Sequence, residues 1–223
     1  KNKELIELEK EKRVALINNA VTKGLDSSVK MKNSGVEWIG KVPEGWEVMK
    51  FKFTVRICNG QDYKTVEDEA GNYPILGTGG EFGRSSKYLY NQPSVLLGRK
   101  GTIDKPQYTE SPFWTVDTLF YTKIRKIMVP KFVYYFSTNF PFEKYSDTTA
   151  VPSMTQEKLN QIEITIPQKP EQQQIVKYLD KQTSKIDQTI KKIEDKITLM
   201  EEYKQSLIHH VVTGKVDVRE IAA

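Results

Sequence analysis

Residues 171–212, EQQQIVKYLDKQTSKIDQTIKKIEDKITLMEEYKQSLIHHVV, decide the fold. The stretch contains neither glycine nor proline, and Pro167 and Pro170 stand just before it. Proline is tolerated at or before the start of a helix but not inside one, because its ring fixes φ and removes the N–H donor. The stretch therefore predicts one long helix, which at about 1.5 Å per residue would run roughly 60 Å.

An apolar stripe follows this predicted helix in steps of three and four residues, with Gln182 filling one place. A repeat near 3.5 residues is typical of a helix that pairs lengthwise with another long helix. The stripe predicts a coiled-coil-type helix that needs a partner of similar length. The predicted helix-pairing residues are Ile175, Leu179, Ile186, Ile190, Ile193, Ile197, Met200 and Leu207.

The composition excludes several classes of protein. Cys58 is the only cysteine among 223 residues, and His209 and His210 are the only histidines, so neither an internal disulfide framework nor a structural zinc site is expected. No apolar run approaches the about 20 residues that span a bilayer. We predict a cytoplasmic protein with no membrane segment, metal or cofactor. Because the sequence begins at Lys1 and not at Met, we also expect a fragment, a processed product or a trimmed chain.

The rest of the chain predicts an α+β fold. Residues 3–23 predict a helix that Gly24 ends, residues 26–35 predict a polar linker, and two tryptophans in residues 36–49 predict anchors for an extended entry segment. Short β-branched and aromatic runs between glycine-containing turns then predict a sheet of short strands. These runs are FKFTVRI (51–57), YPIL (73–76), KYLY (87–90), SVLLGR (94–99) and TVDTLFYTKI (115–124).

The last third predicts a short buried helix at 131–139, a turn with one helical turn at 151–161, and a strand at 162–166. A globular β-rich domain with a few short helices thus precedes the long helix. The predicted segments are 1–24 (end of a preceding spacer helix), 25–35 (linker), 36–167 (globular domain), 168–214 (long helix) and 215–223 (C-terminal tail).

The two ends of the chain resemble each other. LINNAVT at 16–22 is repeated by LIHHVVT at 207–213, and a glycine and an aspartate follow in both places. Because this match repeats the end of a helix and not just a composition, it points to a parent built from tandem units of one domain and one long helix. The natural partner of each long helix is then another copy of that helix.

Four segments carry a family resemblance. They are SGVEWIGKVPEGWEV (34–48), LLGRKGTI (96–103), VPSMTQEKLNQIEITIPQKPEQQQIVKYLD (151–180) and LIHHVVTGKVD (207–217). With these segments the chain resembles the specificity subunit of type I restriction-modification enzymes. The resemblance covers nearly the whole chain, and the segment at 151–180 is its most specific part.

The resemblance implies partners and an architecture. Subunits of this family carry two target-recognition domains, each reading half of a bipartite site in double-stranded DNA, separated by two long spacer helices packed antiparallel. Methyltransferase (modification) subunits, and through them a restriction subunit, would be the protein partners. This chain has one such domain, so it resembles a half-subunit, for which the long helix would form a homodimer.

No catalytic motif accompanies the resemblance. The glycine-rich run at 77–85 has neither GxxxxGK[ST] nor GxGxxG spacing, and no methyltransferase tetrapeptide is present. We predict that the chain catalyses nothing. The remaining alternative to DNA recognition is a coiled-coil scaffold whose β-rich head binds another protein.

Loops between the strands offer side chains for DNA. Lys and Arg contact phosphates, while Arg, Asn, Gln, Ser and Thr reach base edges. The predicted contacts are Asn59, Gln61, Tyr63 and Lys64 in one loop, Thr78, Arg84, Ser85 and Lys87 in a second, Arg99, Lys100 and Thr102 in a third, and Thr148, Thr149 and Ser153 in a fourth. Any single one of them could equally be an ordinary turn residue, and Arg99 and Lys100 are the strongest candidates.

Overall fold

The computed structural model describes residues 2–146, 152–213 and 215, and these divide into two compact units. We call residues Leu16–Leu179 the globular unit, and the described residues within 1–15 and 180–223 the helical unit. The structure is a mixture of helix and sheet with a β-rich part and a long helix near the C-terminus, which confirms the α+β prediction.

The elements follow one another in this order: α1 (Asn2–Lys23), β1 (Met31–Asn33), β2 (Lys41–Pro43), β3 (Glu47–Lys50), a 3-10 helix (Phe51–Phe53), β4 (Val55–Asn59), β5 (Tyr73–Gly77), β6 (Gly80–Ser85), β7 (Ser94–Gly98), β8 (Gln107–Thr109), β9 (Trp114–Thr115), β10 (Leu119–Ile124), α2 (Pro130–Ser137), α3 (Phe142–Tyr145), α4 (Gln156–Gln161), β11 (Glu163–Ile166) and α5 (Lys169–Val212). The long helix lies within the predicted segment 168–214 and includes Pro170 in its first turn, where a missing N–H costs nothing.

Two sheets form most of the globular unit. Strands β4, β10, β7 and β8 make an antiparallel sheet in that spatial order. Strand β5 lies between β6, to which it is antiparallel, and β9, to which it is parallel. Strand β7 is buried along its whole length, as expected from the apolar run SVLLG. Two smaller pairs, β1 with β2 and β3 with β11, complete the strands.

The core of the globular unit is aromatic. Phe132 and Phe136 of α2 are fully buried, and Trp38 meets the ring of Phe136 edge-on with centroids 5.6 Å apart. Trp46 is buried as well, and its Nε1 donates to Glu171 Oε2 at 3.0 Å. Both tryptophans of the entry segment therefore anchor it, as predicted.

The first turns of α5 belong to this core. Ile175 and Leu179 are fully buried there, in one cluster with residues from the end of α1 and from β11. Both residues thus pack in the core of the globular unit, and their role in pairing with a second long helix stays a prediction. The spacing of the apolar residues is the same along the whole of α5, because one face of a helix can be buried either by a domain core or by a second helix.

In the helical unit α1 and α5 run antiparallel. Asn2 Nδ2 lies 3.7 Å from Met200 Sδ, and Arg13 Nε lies 3.4 Å from Asp187 Oδ1 in an ion pair. The first helix thus packs on the long helix of its own chain.

The remaining predicted pairing residues fall along this helical unit. Ile186 is buried, while Ile190, Ile193 and Ile197 are half-buried. Met200 and Leu207 are exposed by 55% and 41% of their surface. Burial therefore fades toward the end of α5.

The structure differs from the sequence prediction in several segments. The predicted linker contains β1, which pairs with β2. The run at 87–90 is not a strand, since only Tyr90 forms a single bridge, with Phe113. Residues 78–87 were predicted to form a loop but contain β6, which pairs with β5. Its glycine-rich sequence is not typical of a strand. The globular unit also extends beyond the predicted bounds 36–167 at both ends.

Two leucines of α5 test the division of the helix between the two units. Leu179→Ala should reduce the free energy of unfolding by about 2–5 kcal/mol, because it leaves a cavity in a closed core. Leu207→Ala, which trims an exposed side chain of the same helix, should change it by about 0.5 kcal/mol or less. Urea unfolding of both variants provides the measurement, and equal losses would contradict the assignment of Leu179 to the core.

Candidate nucleic-acid interface

Two of the predicted loops meet in the globular unit. The connection after β7 runs alongside the chain ahead of α4, where Lys100 stands opposite Ser153 in an antiparallel bridge. Met154 N donates to Arg99 O at 2.9 Å within the same pairing. Arg99, Lys100 and Ser153 therefore come from two distant parts of the sequence to one edge of the domain.

A third loop joins them through a side-chain contact. Gln156 Nε2, in the first turn of α4, donates to Asn59 Oδ1 at the end of β4 over 2.8 Å. The three segments enclose an open cleft of about 300 Å³. Its lining residues are Asn59, Arg99, Phe120, Met154, Thr155 and Gln156. Phe120 and Met154, both buried, form an apolar floor beneath a polar rim.

Arg99 is exposed but held in place. Its Nη1 donates to Asp117 O at 3.3 Å, and its guanidinium carbon lies 6.0 Å from the centroid of the Phe120 ring. A guanidinium near an aromatic face is attracted by the ring quadrupole, which helps to hold its orientation. Arg99 can thus present hydrogen-bond donors to an anion or to a base edge at the rim of the cleft.

The hairpin of β5 and β6 carries the second group of predicted residues. Thr78 lies in its turn, half-buried, and its carbonyl accepts from Gln107 Nε2 at 3.3 Å. Phe82 of β6 is 53% exposed and meets the half-buried ring of Tyr63 edge-on, with centroids 5.2 Å apart. This hairpin therefore carries an accessible aromatic pair next to the residues predicted to contact DNA.

The charged members of this group are all exposed: Lys64, Arg84 and Lys87. Arg84 forms an ion pair with Glu81 at 3.4 Å along β6. Gln61 is also exposed, and its backbone N donates to Thr115 O at 2.9 Å. The geometry leaves these side chains available to solvent.

Ser85 is a correction to the predicted set. It is fully buried on β6, and its hydroxyl donates to Lys87 O at 2.7 Å. A hydroxyl so enclosed cannot reach a base, so its role lies in the fold. Thr102 is half-buried in the connection after β7, and Thr148 and Thr149 lie outside the described residues.

Gln156 and Thr155 line the cleft but were missed in the sequence. Thr155 Oγ1 accepts from Lys158 N at 3.2 Å and caps α4. The signal that could have found them was the polar run SMTQ leading into a helix start, because residues at such a boundary are held rigidly while their side chains stay accessible.

A neighbouring aromatic patch lies on the sheet that carries Asn59. Burial raises the pKa of Tyr121 to about 12, with Cys58 adding to the effect, and burial also raises the pKa of Tyr90. Lys123 Nζ lies 5.4 Å from the Tyr90 ring centroid. Both tyrosines therefore stay uncharged at neutral pH, and Lys123 supplies the charge of the patch.

The described residues contain no cluster of His, Cys, Asp and Glu side chains suited to a metal ion. None of the helices in residues 2–146 and 152–213 combines the length and apolar character that crossing a bilayer requires.

Comparison with known families identifies the chain. Residues 43–199 match the family described as the Type I restriction modification DNA specificity domain. This match spans strands β3 to β11, the cleft and much of α5, which is more than half of the chain. The chain belongs to this family. Among curated proteins, none shows significant similarity to it.

Three solved structures share the fold at 16% sequence identity each. The type I restriction-modification S subunit from M. genitalium aligns with a TM-score of 0.58 over 84% of this chain and 48% of its own. The HsdS subunit from Thermoanaerobacter tengcongensis aligns with a TM-score of 0.62 over 96% and 53%. A chain from a type I R-M system, solved to explain complex assembly and conformational transition, gives 0.68 over 94% and 54%. The chain spans about half the length of these structures.

The backbone beside Asn59 provides a stability test. A Cβ at Gly60 would lie 1.9 Å from Val116 O, whereas a Cβ at Gly79 would meet no atom within 4 Å. Gly60→Ala should therefore lower the free energy of unfolding by at least about 2 kcal/mol, since two backbone segments would have to separate. Thermal and urea unfolding check this, with Gly79→Ala as the matched control. An unchanged stability in Gly60→Ala would show that the strand end is not clamped.

Proposed function

We propose that the protein is the DNA-recognition (specificity) subunit, or half of such a subunit, of a type I restriction-modification enzyme. The observation that carries the proposal is the match of residues 43–199 to the DNA specificity domain family. A specificity subunit catalyses nothing itself, and we infer the same for this chain. Binding to DNA also fits a cytoplasmic location, and the free thiol of Cys58 is compatible with the reducing conditions there.

In this proposal the globular unit reads one half of a bipartite site in double-stranded DNA. The convergence of Asn59, Arg99, Lys100 and Ser153 supports this, because residues from separate loops meet at one accessible edge. Exposed lysine and arginine side chains would bind phosphates and fix the register, while amide and guanidinium groups would contact bases. Sequence preference and affinity thus come from different side chains of the same edge.

The long helix would serve as the spacer of the proposed subunit. Beyond Ile197 the residues of its apolar stripe are exposed, namely Met200, Tyr203 and Leu207. Such a face suits a second long helix, and we infer that it pairs with another copy of the chain when two recognition units act together. Methyltransferase (modification) subunits would dock on the helices, and a restriction subunit would join through them.

The proposal is tested by binding to duplexes of randomised sequence. The full chain, alone and with its modification subunits, should enrich a short motif, and log K should fall steeply with log salt because phosphate contacts release counterions. Lys100→Ala should weaken binding to all sequences and reduce the salt slope by about 1. Lys32→Ala, at an exposed lysine of β1 outside the loop set, is the control. The absence of any enriched motif, together with a flat salt dependence, would favour a protein-binding head.

A further inference from the structure

The contact between Asn59 and Gln156 is a side-chain amide pair at the rim of the cleft. Gln156 Nε2 donates to Asn59 Oδ1 at 2.8 Å across 97 positions of sequence. Asn59 is exposed and Gln156 is half-buried. Two flexible amides at a surface usually hydrogen-bond to water, so a direct bond between them fixes the orientation of the outer one.

Both amides are carried by clamped backbone. Asn59 closes β4 opposite Phe120, and the next residue, Gly60, donates its N–H to Leu119 O at 3.0 Å. Gln156 opens α4, which is anchored by the fully buried Leu159. A side chain on such supports can be held to the fraction of an ångström that base recognition requires.

The chemistry of the outer amide identifies its ligand. A carbonyl oxygen has two lone pairs, and Gln156 occupies one on Asn59 Oδ1. Asn59 is exposed, so the second lone pair of Oδ1 and the Nδ2 donors can meet a ligand. Adenine presents the complementary pattern in the major groove, with N6 as donor and N7 as acceptor, and an asparagine amide can bind both at once.

We propose that Asn59 reads an adenine in the recognised half-site and that Gln156 is the positioning residue that holds the Asn59 amide for this contact. The inference rests on the proposed function. It adds which base is recognised and which residue recognises it. Arg99, on the same rim, would bind a phosphate or guanine beside that adenine.

An isosteric substitution separates reading from folding. Asn59→Asp keeps the oxygen that accepts from Gln156 but replaces the outward donor by an acceptor, and an acceptor-only edge pairs with the N4 donor of cytosine. Selection from randomised duplexes by the full chain with its modification subunits should change one adenine of the motif to cytosine. The other positions should stay as in the wild type. The loss of adenine preference should be about 10-fold or more, the usual size for a bidentate contact.

Gln156→Ala tests the positioning role. It should reduce discrimination at the same adenine while leaving adenine the preferred base, because Asn59 keeps its donors but loses its fixed orientation. Asn72→Asp makes the same chemical change at an exposed asparagine outside the cleft and should leave the motif unchanged. Circular dichroism melting of all variants confirms that they are folded.

The possible results divide cleanly. The proposal is overturned if Asn59→Asp selects the wild-type motif or changes the motif at a position other than an adenine. It is also overturned if the variant binds all sequences more weakly by the same factor. Unchanged discrimination in Gln156→Ala would overturn the positioning role. A wild-type chain that enriches no motif would instead overturn the proposed function, and with it the inference.

Discussion

The fold depends on the buried amide of Gln172. This side chain is fully enclosed at the start of α5, where its Oε1 accepts from Val129 N at 2.7 Å and its Nε2 donates to Pro167 O and Ile127 O. An amide buried without partners would cost about 1–3 kcal/mol, whereas a satisfied one ties together the groups that it bonds. Gln172 thereby joins the first turn of the long helix to the chain that leads into α2. With Ile175 buried one turn later, the beginning of α5 is part of the globular unit and not an appendage to it.

The same core carries the cleft. Its floor is Phe120 of β10, the strand that lies between β4 and β7 in the sheet, so the ends of those two neighbours bring Asn59 and Arg99 to a common edge. The chain ahead of α4 closes the third side through its pairing with the connection after β7. The positions of the proposed DNA contacts thus follow from sheet order. Their chemistry depends on side chains that face solvent, and these can change without disturbing the core.

The sequence predicted those features that local patterns determine. The long helix, the buried helix α2 and strand β11 have strong apolar periods and clear boundaries, and the structure contains all three. Contacts between segments that are distant in sequence could not be predicted from local patterns. Ser85 looked like a loop residue because glycines surround it, and only the pairing of β6 with β5 shows that it is buried. The start of α4 could have pointed to Gln156, but its contact with Asn59, 97 positions away in sequence, could not be predicted. The apolar period of α5 likewise could not show that Leu179 belongs to the core of the globular unit and Ile186 to the helical unit.

We propose that this one edge of the globular unit binds DNA. Hydrogen–deuterium exchange of the full chain, with and without a duplex carrying the selected motif, tests it directly. The amides of residues 59–61, 99–102 and 153–156 should exchange more slowly in the complex, while those of β1 and β2 should be unchanged. Slower exchange confined to α1 and α5, with none in those three segments, would contradict the claim.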